Sequence, residues 1–219
     1  MSLPVIFCDF DGTVTETDNI ISLMKAFAPP EWEPIKEDIL NQSISIKEGV
    51  SKLFSLIPSS QKDEMIQYLM KTAVIREGFK EFVDYTKVNE IPLYIVSGGI
   101  DFFVHPLLKE FEPFKAVYCN EATFNASNIT LHWPYPCDVH CENKGCGCCK
   151  PSILRALSLE DHEVIVIGDS VTDIEMAKLG DTVLAREYLA RTCEEKGIPY
   201  HPFETFYDCI KVIDKGVTI

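Results

Sequence analysis

Two carboxylates separated by one residue, Asp9 and Asp11, open the first chemically distinctive stretch of this chain, Asp9-Phe10-Asp11-Gly12-Thr13. Residues two apart on a strand face the same way, so both carboxylates are expected at one site. Acids held that close repel each other, and a divalent cation relieves the repulsion. Gly12 permits a sharp exit turn that frees the N–H groups beyond it. The plain alternative is turn chemistry, because Asp and Gly also end strands without any catalytic purpose.

Three later stretches share that character. Ser97-Gly98-Gly99 brings a hydroxyl and backbone N–H groups to the end of an apolar run, a composition that suits an anion and also suits an ordinary loop. Lys150-Pro151 sets a cation at a helix start, where Pro is favoured at the first position; a solvated surface Lys is the plain reading. Gly168-Asp169-Ser170-Val171-Thr172-Asp173 supplies two more carboxylates, four apart across a helix start. Together they suit an oxygen-liganded Mg²⁺ site, or a helix N-cap.

The elements that must position these residues are legible around them. Val5-Ile6-Phe7-Cys8, Leu93-Tyr94-Ile95-Val96 and Val164-Ile165-Val166-Ile167 are short, continuous apolar runs, as strands buried on both faces require. Thr182-Val183-Leu184-Ala185 is a further expected strand. Helix-period segments cover Gly78 to Val88, Asp101 to Phe111, Pro151 to Leu157 and Val171 to Leu179. This alternation predicts an α/β core with a doubly wound, Rossmann-like parallel sheet, whose ligands bind beyond the strands' carboxyl ends. Residues 16–75 carry only helical stripes, with Pro29-Pro30 and Pro58 as punctuation, and predict a helical cap inserted into a core of residues 1–15 and 76–219. Val117-Tyr118 and Ile129-Thr130-Leu131 flank a turn-rich stretch and predict a β-hairpin.

In that order, the four motifs resemble the haloacid dehalogenase superfamily of phosphohydrolases along the whole chain. The segment between the first and second motifs is similar to the helical-cap branch typified by phosphoserine phosphatase. More narrowly, the length, the hairpin and the Cys-rich stretch before Lys150 resemble the phosphatases of methionine salvage. The resemblance implies Asp9 as nucleophile, Asp11 as general acid and base, and Lys150 with Ser97, Thr13 and Gly98 around the phosphoryl oxygens. It implies Mg²⁺ held by Asp9, the Asp11 carbonyl and Asp169, with Asp173 orienting that shell. In the expected cap, Glu16 and Asp18 read either as contacts to a substrate hydroxyl or amine or as helix-capping acids. Met24, Phe27, Phe54 and Met70 read either as core or as the wall of an apolar pocket.

Composition bounds the partners. A formal net charge of −14 disfavours nucleic acid and anionic membranes, and no apolar run reaches the ~18 residues of a membrane span. The start lacks a signal-peptide pattern, so a cytoplasmic chain acting on a small phosphorylated metabolite is expected, with a homodimer through exposed cap surfaces left open. Cys137, Cys141, Cys146, Cys148 and Cys149 crowd one stretch with His140. Their spacing is not the paired Cys-X2-Cys of zinc ribbons, so reduced thiols that pack the loop are expected ahead of a Zn²⁺ site or a redox switch. Besides a phosphatase, the sequence leaves open a phosphotransferase or mutase with the same nucleophile, and a metal- or redox-responsive binding module.

Overall fold

A computed structural model describes residues 3–217; residues 1–2 and 218–219, the ends of the expected core, lie outside the described residues. Strand β1 (Leu3–Cys8) leads into helices α1 (Asn19–Phe27), α2 (Trp32–Leu40), α3 (Ile46–Ser55) and α4 (Lys62–Thr72). Next come α5 (Phe79–Val88), β2 (Leu93–Ile100), α6 (Asp101–Leu108), β3 (Ala116–Phe124) and β4 (Ile129–His132). The remainder is α7 (Lys150–Ala156), β5 (His162–Gly168), α8 (Ile174–Ala177), β6 (Thr182–Ala185), α9 (Glu187–Lys196), β7 (His201–Pro202) and α10 (Phe206–Val217).

Among the described residues the strands form one seven-stranded sheet in the order β4-β3-β2-β1-β5-β6-β7. All neighbours are parallel except β3 and β4, which make the expected hairpin. Alternation along β1 explains the double winding. Ile6 and Cys8 join a core shared with α5, α6 and α10, whereas Val5 and Phe7 join a second core with α7, α8 and α9. Both faces are covered, which is why these strands carry apolar residues at every position. Strand order turns at β1 and β5, and their carboxyl ends open the crevice where such sheets bind ligands.

Residues 16–75 hold α1 to α4 and no strand; an isolated bridge between Thr15 and Ile75 joins the two crossings into this segment. Asp18 and Ser45 cap α1 and α3 by accepting from the N–H groups of Ile21 (2.9 Å) and Glu48 (3.1 Å). Leu23, Met24, Leu53, Phe54, Met65 and Leu69 are buried against the first core.

Two expectations about the elements need correction. Strand β2 does not stop before Ser97 but continues to Ile100, because Ile100 pairs with Asn120 of β3 after an irregularity in register. The segment from Val171 is not one helix: a 3-10 turn at Val171–Asp173 precedes the four-residue α8. Strand β7 and helices α9 and α10 have no counterpart among the expected elements.

Helix α10 presents Phe206, Cys209 and Ile213 to the core at helical spacing. The Phe206 ring is fully buried, with centroids 4.9 Å from Phe79 and 5.0 Å from Phe82. Phe206→Ala removes that contact area and leaves a cavity, at a cost of ~3–5 kcal/mol. Thermal unfolding followed by circular dichroism is expected to show a Tm lower by on the order of 10 °C.

Candidate active site

Strand β1 ends by handing its chain to Asp9, whose N–H donates to the Ile167 carbonyl at 2.9 Å and so is registered against β5. Strand β5 ends at Gly168 and delivers Asp169 beside it. From the opposite side α7 begins at Lys150, with Pro151 in its first turn, as expected. The Lys150 ammonium bonds Asp9 at 2.5 Å and Asp173 at 2.6 Å, with all three side chains buried.

Asp173 is saturated. Its Oδ1 takes the ammonium, and its Oδ2 accepts from the N–H of Asp169 (3.2 Å), the N–H of Ser170 (3.0 Å) and the Ser170 hydroxyl (3.1 Å). This closes the Ser170–Asp173 capping box of the 3-10 turn. A side chain at Gly168 would strike it, since a Cβ there would lie 2.6 Å from the Asp173 Cγ.

Carboxylate oxygens of Asp9, Asp169 and Asp173 all lie within 4.8 Å of one another. Burial and the neighbouring Asp173 push the Asp9 carboxyl above its ordinary range, against the pull of Lys150. Burial and Asp173 likewise raise Asp169 to about 6. Burial alone would lower Lys150, but Asp173 and Asp9 hold its ammonium firmly charged. Ionising all three carboxylates against one ammonium would leave two negative charges, which one divalent cation balances. The all-oxygen donor set is of the kind Mg²⁺ takes, so the residues present fit that ion.

Asp11 lies beside this cluster on a different set of partners. Its Oδ1 accepts from the Asn19 backbone N–H (3.1 Å) and side-chain amide (2.8 Å), and its Oδ2 from the Ser97 hydroxyl (3.1 Å). Burial and the Asp18 carboxylate outweigh these bonds and push Asp11 up to about 7. Just after the two aspartates Gly12 adopts φ +86°, and a Cβ there would lie 2.8 Å from the Asp169 Cγ. Thr13 donates its hydroxyl to Asp169 at 2.9 Å, and its N–H reaches the Phe10 carbonyl at 3.3 Å. Open space adjoins Gly98, whose carbonyl accepts from the Asn120 amide at 2.8 Å.

The structure therefore gathers Asp9, Asp11, Thr13, Ser97, Lys150, Asp169 and Asp173 at the carboxyl ends of the central strands. It does not gather the outlying readings. Glu16 and Asp18 are exposed, and Asp18 uses Oδ1 as the α1 N-cap, though its charge still reaches Asp11. Met24, Phe27, Phe54 and Met70 do not share a pocket: Met24 and Phe54 are core, Phe27 packs on Tyr68, and Met70 is exposed.

Two residues were not anticipated. Asn19 fixes Asp11, as above. Arg76 is buried and donates to the carbonyls of Thr13 (2.7 Å) and Gly12 (2.8 Å), holding the turn after the aspartates in shape. Its place directly after the apolar run Ala73-Val74-Ile75 was its available signal.

Known proteins resemble this chain. The chain is 54% identical to the 2-hydroxy-3-keto-5-methylthiopentenyl-1-phosphate phosphatase of Geobacillus kaustophilus (strain HTA426), over 96% of both chains. It is 53% identical to the phosphatase of the same name from Lysinibacillus sphaericus (strain C3-41), over 97% of this chain and 94% of that one. Among solved structures, a substrate-bound phosphoserine phosphatase superposes with a TM-score of 0.71 at 19% identity, covering 97% of this chain and 99% of that one, a likeness of fold. The profile of haloacid dehalogenase-like hydrolases matches residues 6–178, and the chain belongs to that family.

Proposed function

We propose that the chain is a Mg²⁺-dependent phosphomonoester hydrolase acting on 2-hydroxy-3-keto-5-methylthiopentenyl-1-phosphate. The observation that carries the chemistry is the buried convergence of Asp9, Asp169, Asp173 and Lys150 beside Asp11. Support for the substrate is the name borne by relatives at 53–54% identity over more than nine-tenths of each chain.

In this reading Asp9 attacks phosphorus in line. An Asp9 Oδ–P bond forms while the bond from phosphorus to the leaving oxygen breaks. Asp11, raised to about 7, carries the proton that the leaving oxygen takes. It then accepts a proton from the water that attacks the aspartyl-phosphate, releasing phosphate and restoring both carboxyls. Lys150 has three N–H donors, two of them on Asp9 and Asp173, and the third serves a phosphoryl oxygen with the Ser97 hydroxyl and the N–H groups near Thr13 and Gly98.

Asp9 and Asp169, with the Asp11 carbonyl, would hold Mg²⁺, which when bound offsets charge on the phosphoryl oxygens. Asp173, with both oxygens occupied, positions Lys150 and the Asp169 backbone. Residues 16–75 serve as the cap that closes over a core of residues 1–15 and 76–219 and selects the leaving group. Among the described residues no helix is long and apolar enough to cross a membrane.

Phosphate release from a panel of the methylthio-pentenyl phosphate, phosphoserine and phosphocholine tests this reading. Release is expected to be fastest from the methylthio compound, to stop with EDTA, and to fall by more than ~10³-fold in Asp9→Asn. Faster release from phosphoserine or phosphocholine would discard the substrate while keeping the mechanism. Transfer of the phosphoryl group without free phosphate would mark a mutase. Ion binding has a separate readout. Mg²⁺ at ~100 times its Kd is expected to stabilise the wild type by ~2.7 kcal/mol in thermal unfolding, and Asp169→Asn to lose that increment.

A further inference from the structure

Between β4 and α7, residues 133–149 run without helix or strand, a long loop for a compact domain and one that needs something to hold it. Five cysteines lie on it, and the fold sorts them. Cys148 turns into the second core among Val96, Ile153 and Val166. The sulphur atoms of Cys137, Cys141, Cys146 and Cys149 instead meet, all within 4.8 Å of one another. His140, which sits between two of them in sequence, is exposed and outside the group.

We propose that Cys137, Cys141, Cys146 and Cys149 bind one Zn²⁺ as a structural tetrathiolate site, separate from the carboxylate cluster. The 3.7 Å between the sulphurs of Cys141 and Cys146 rules out a disulfide between them and leaves room for a shared ion. It is far longer than the ~2.05 Å of a disulfide. It matches the edge of a tetrahedron with Zn–S bonds of ~2.3 Å, which is ~3.8 Å. A polynuclear iron–sulphur cluster would spread four thiolates farther apart than this group allows.

The surroundings suit an anionic metal–thiolate centre. The N–H groups of Gly145 and Cys146 both point at the Cys137 sulphur. The Arg155 guanidinium stands near Cys149 and Cys141 and is fixed by two 2.7 Å bonds to Asp138. Loading exchanges four S–H bonds for four Zn–S bonds and gives the displaced protons to solvent, with no change of oxidation state.

The site would pin three things. Cys149 is the N-cap of α7, one residue before Lys150. The Gly145 carbonyl accepts from the Lys47 N–H of α3 at 2.9 Å, so the loop also touches the helical segment. Asp138 reaches α7 a second time, through its N–H to the Ser152 hydroxyl at 3.0 Å.

Elemental analysis of the full chain, purified without chelator, tests the site independently of any catalytic activity. About one zinc per chain is expected, falling below ~0.1 in Cys146→Ser and unchanged in His140→Ala. If Cys146→Ser does not fold, the wild type is titrated with p-hydroxymercuribenzoate and a zinc-sensitive dye, with release of about one Zn²⁺ expected. Co²⁺ loading is expected to give the visible bands of tetrahedral thiolate cobalt. A folded wild type that contains no zinc and takes up neither Zn²⁺ nor Co²⁺ would overturn the proposal. So would iron in place of zinc, or full zinc retention in folded Cys146→Ser.

Discussion

The buried ion pairs of Lys150 are the constraint around which this molecule is organised. Removing an ammonium and two carboxylates from water costs several kcal/mol per ion, which is repaid only if their geometry is tight and the remaining lone pairs are satisfied. Each nearby element supplies part of that satisfaction. Helix α7 delivers the ammonium, β1 delivers Asp9, and the 3-10 turn after β5 delivers Asp173 with N–H donors already on its second oxygen. Losing any one of these partners strands a buried charge, so charge balance and backbone geometry constrain each other here.

The two aspartates of the first motif are held by different means, and this separates their chemistry. Asp9 faces an ammonium and two other carboxylates. Asp11 faces the neutral donors of Asn19 and Ser97. Asn19 is the first residue of α1, so a residue of the helical segment holds a carboxyl that belongs to the core. Arg76, where the chain returns from that segment, holds the carbonyls of Gly12 and Thr13. Both crossings between core and helices are thus anchored to the turn that carries the aspartates.

The sequence made the charged motifs and their order legible, because carboxylates at strand ends have few other uses in an apolar sheet. What supports them was less visible. Asn19 reads as an ordinary first-turn residue, and nothing in its spacing reveals an amide aimed at Asp11. Ser97-Gly98-Gly99 has loop composition, yet pairing with β3 carries the strand through it, an override of local preference by tertiary contacts. Strand β7, two residues long, leaves no period to detect. The cysteine spacing lacks the paired Cys-X2-Cys of zinc ribbons and so favours loop-packing thiols over a metal site. Here one irregular loop folds the sulphurs together, and linear spacing does not measure that.

The position of β1 in the sheet has a consequence for how the molecule is made. Its residues are the first of the sheet to be synthesised, yet they occupy an inner place between β2 and β5. Pairing with β5 spans from Leu3 to His162, and the bond from Asp9 to Lys150 closes over 141 residues. Contacts of such sequence separation are slow to form because chain entropy is lost before they reward it. During synthesis, Val5-Ile6-Phe7-Cys8 therefore waits as an apolar strand with one edge unpaired until Val164 to Ile167 have emerged. That interval is when association with other chains competes with folding.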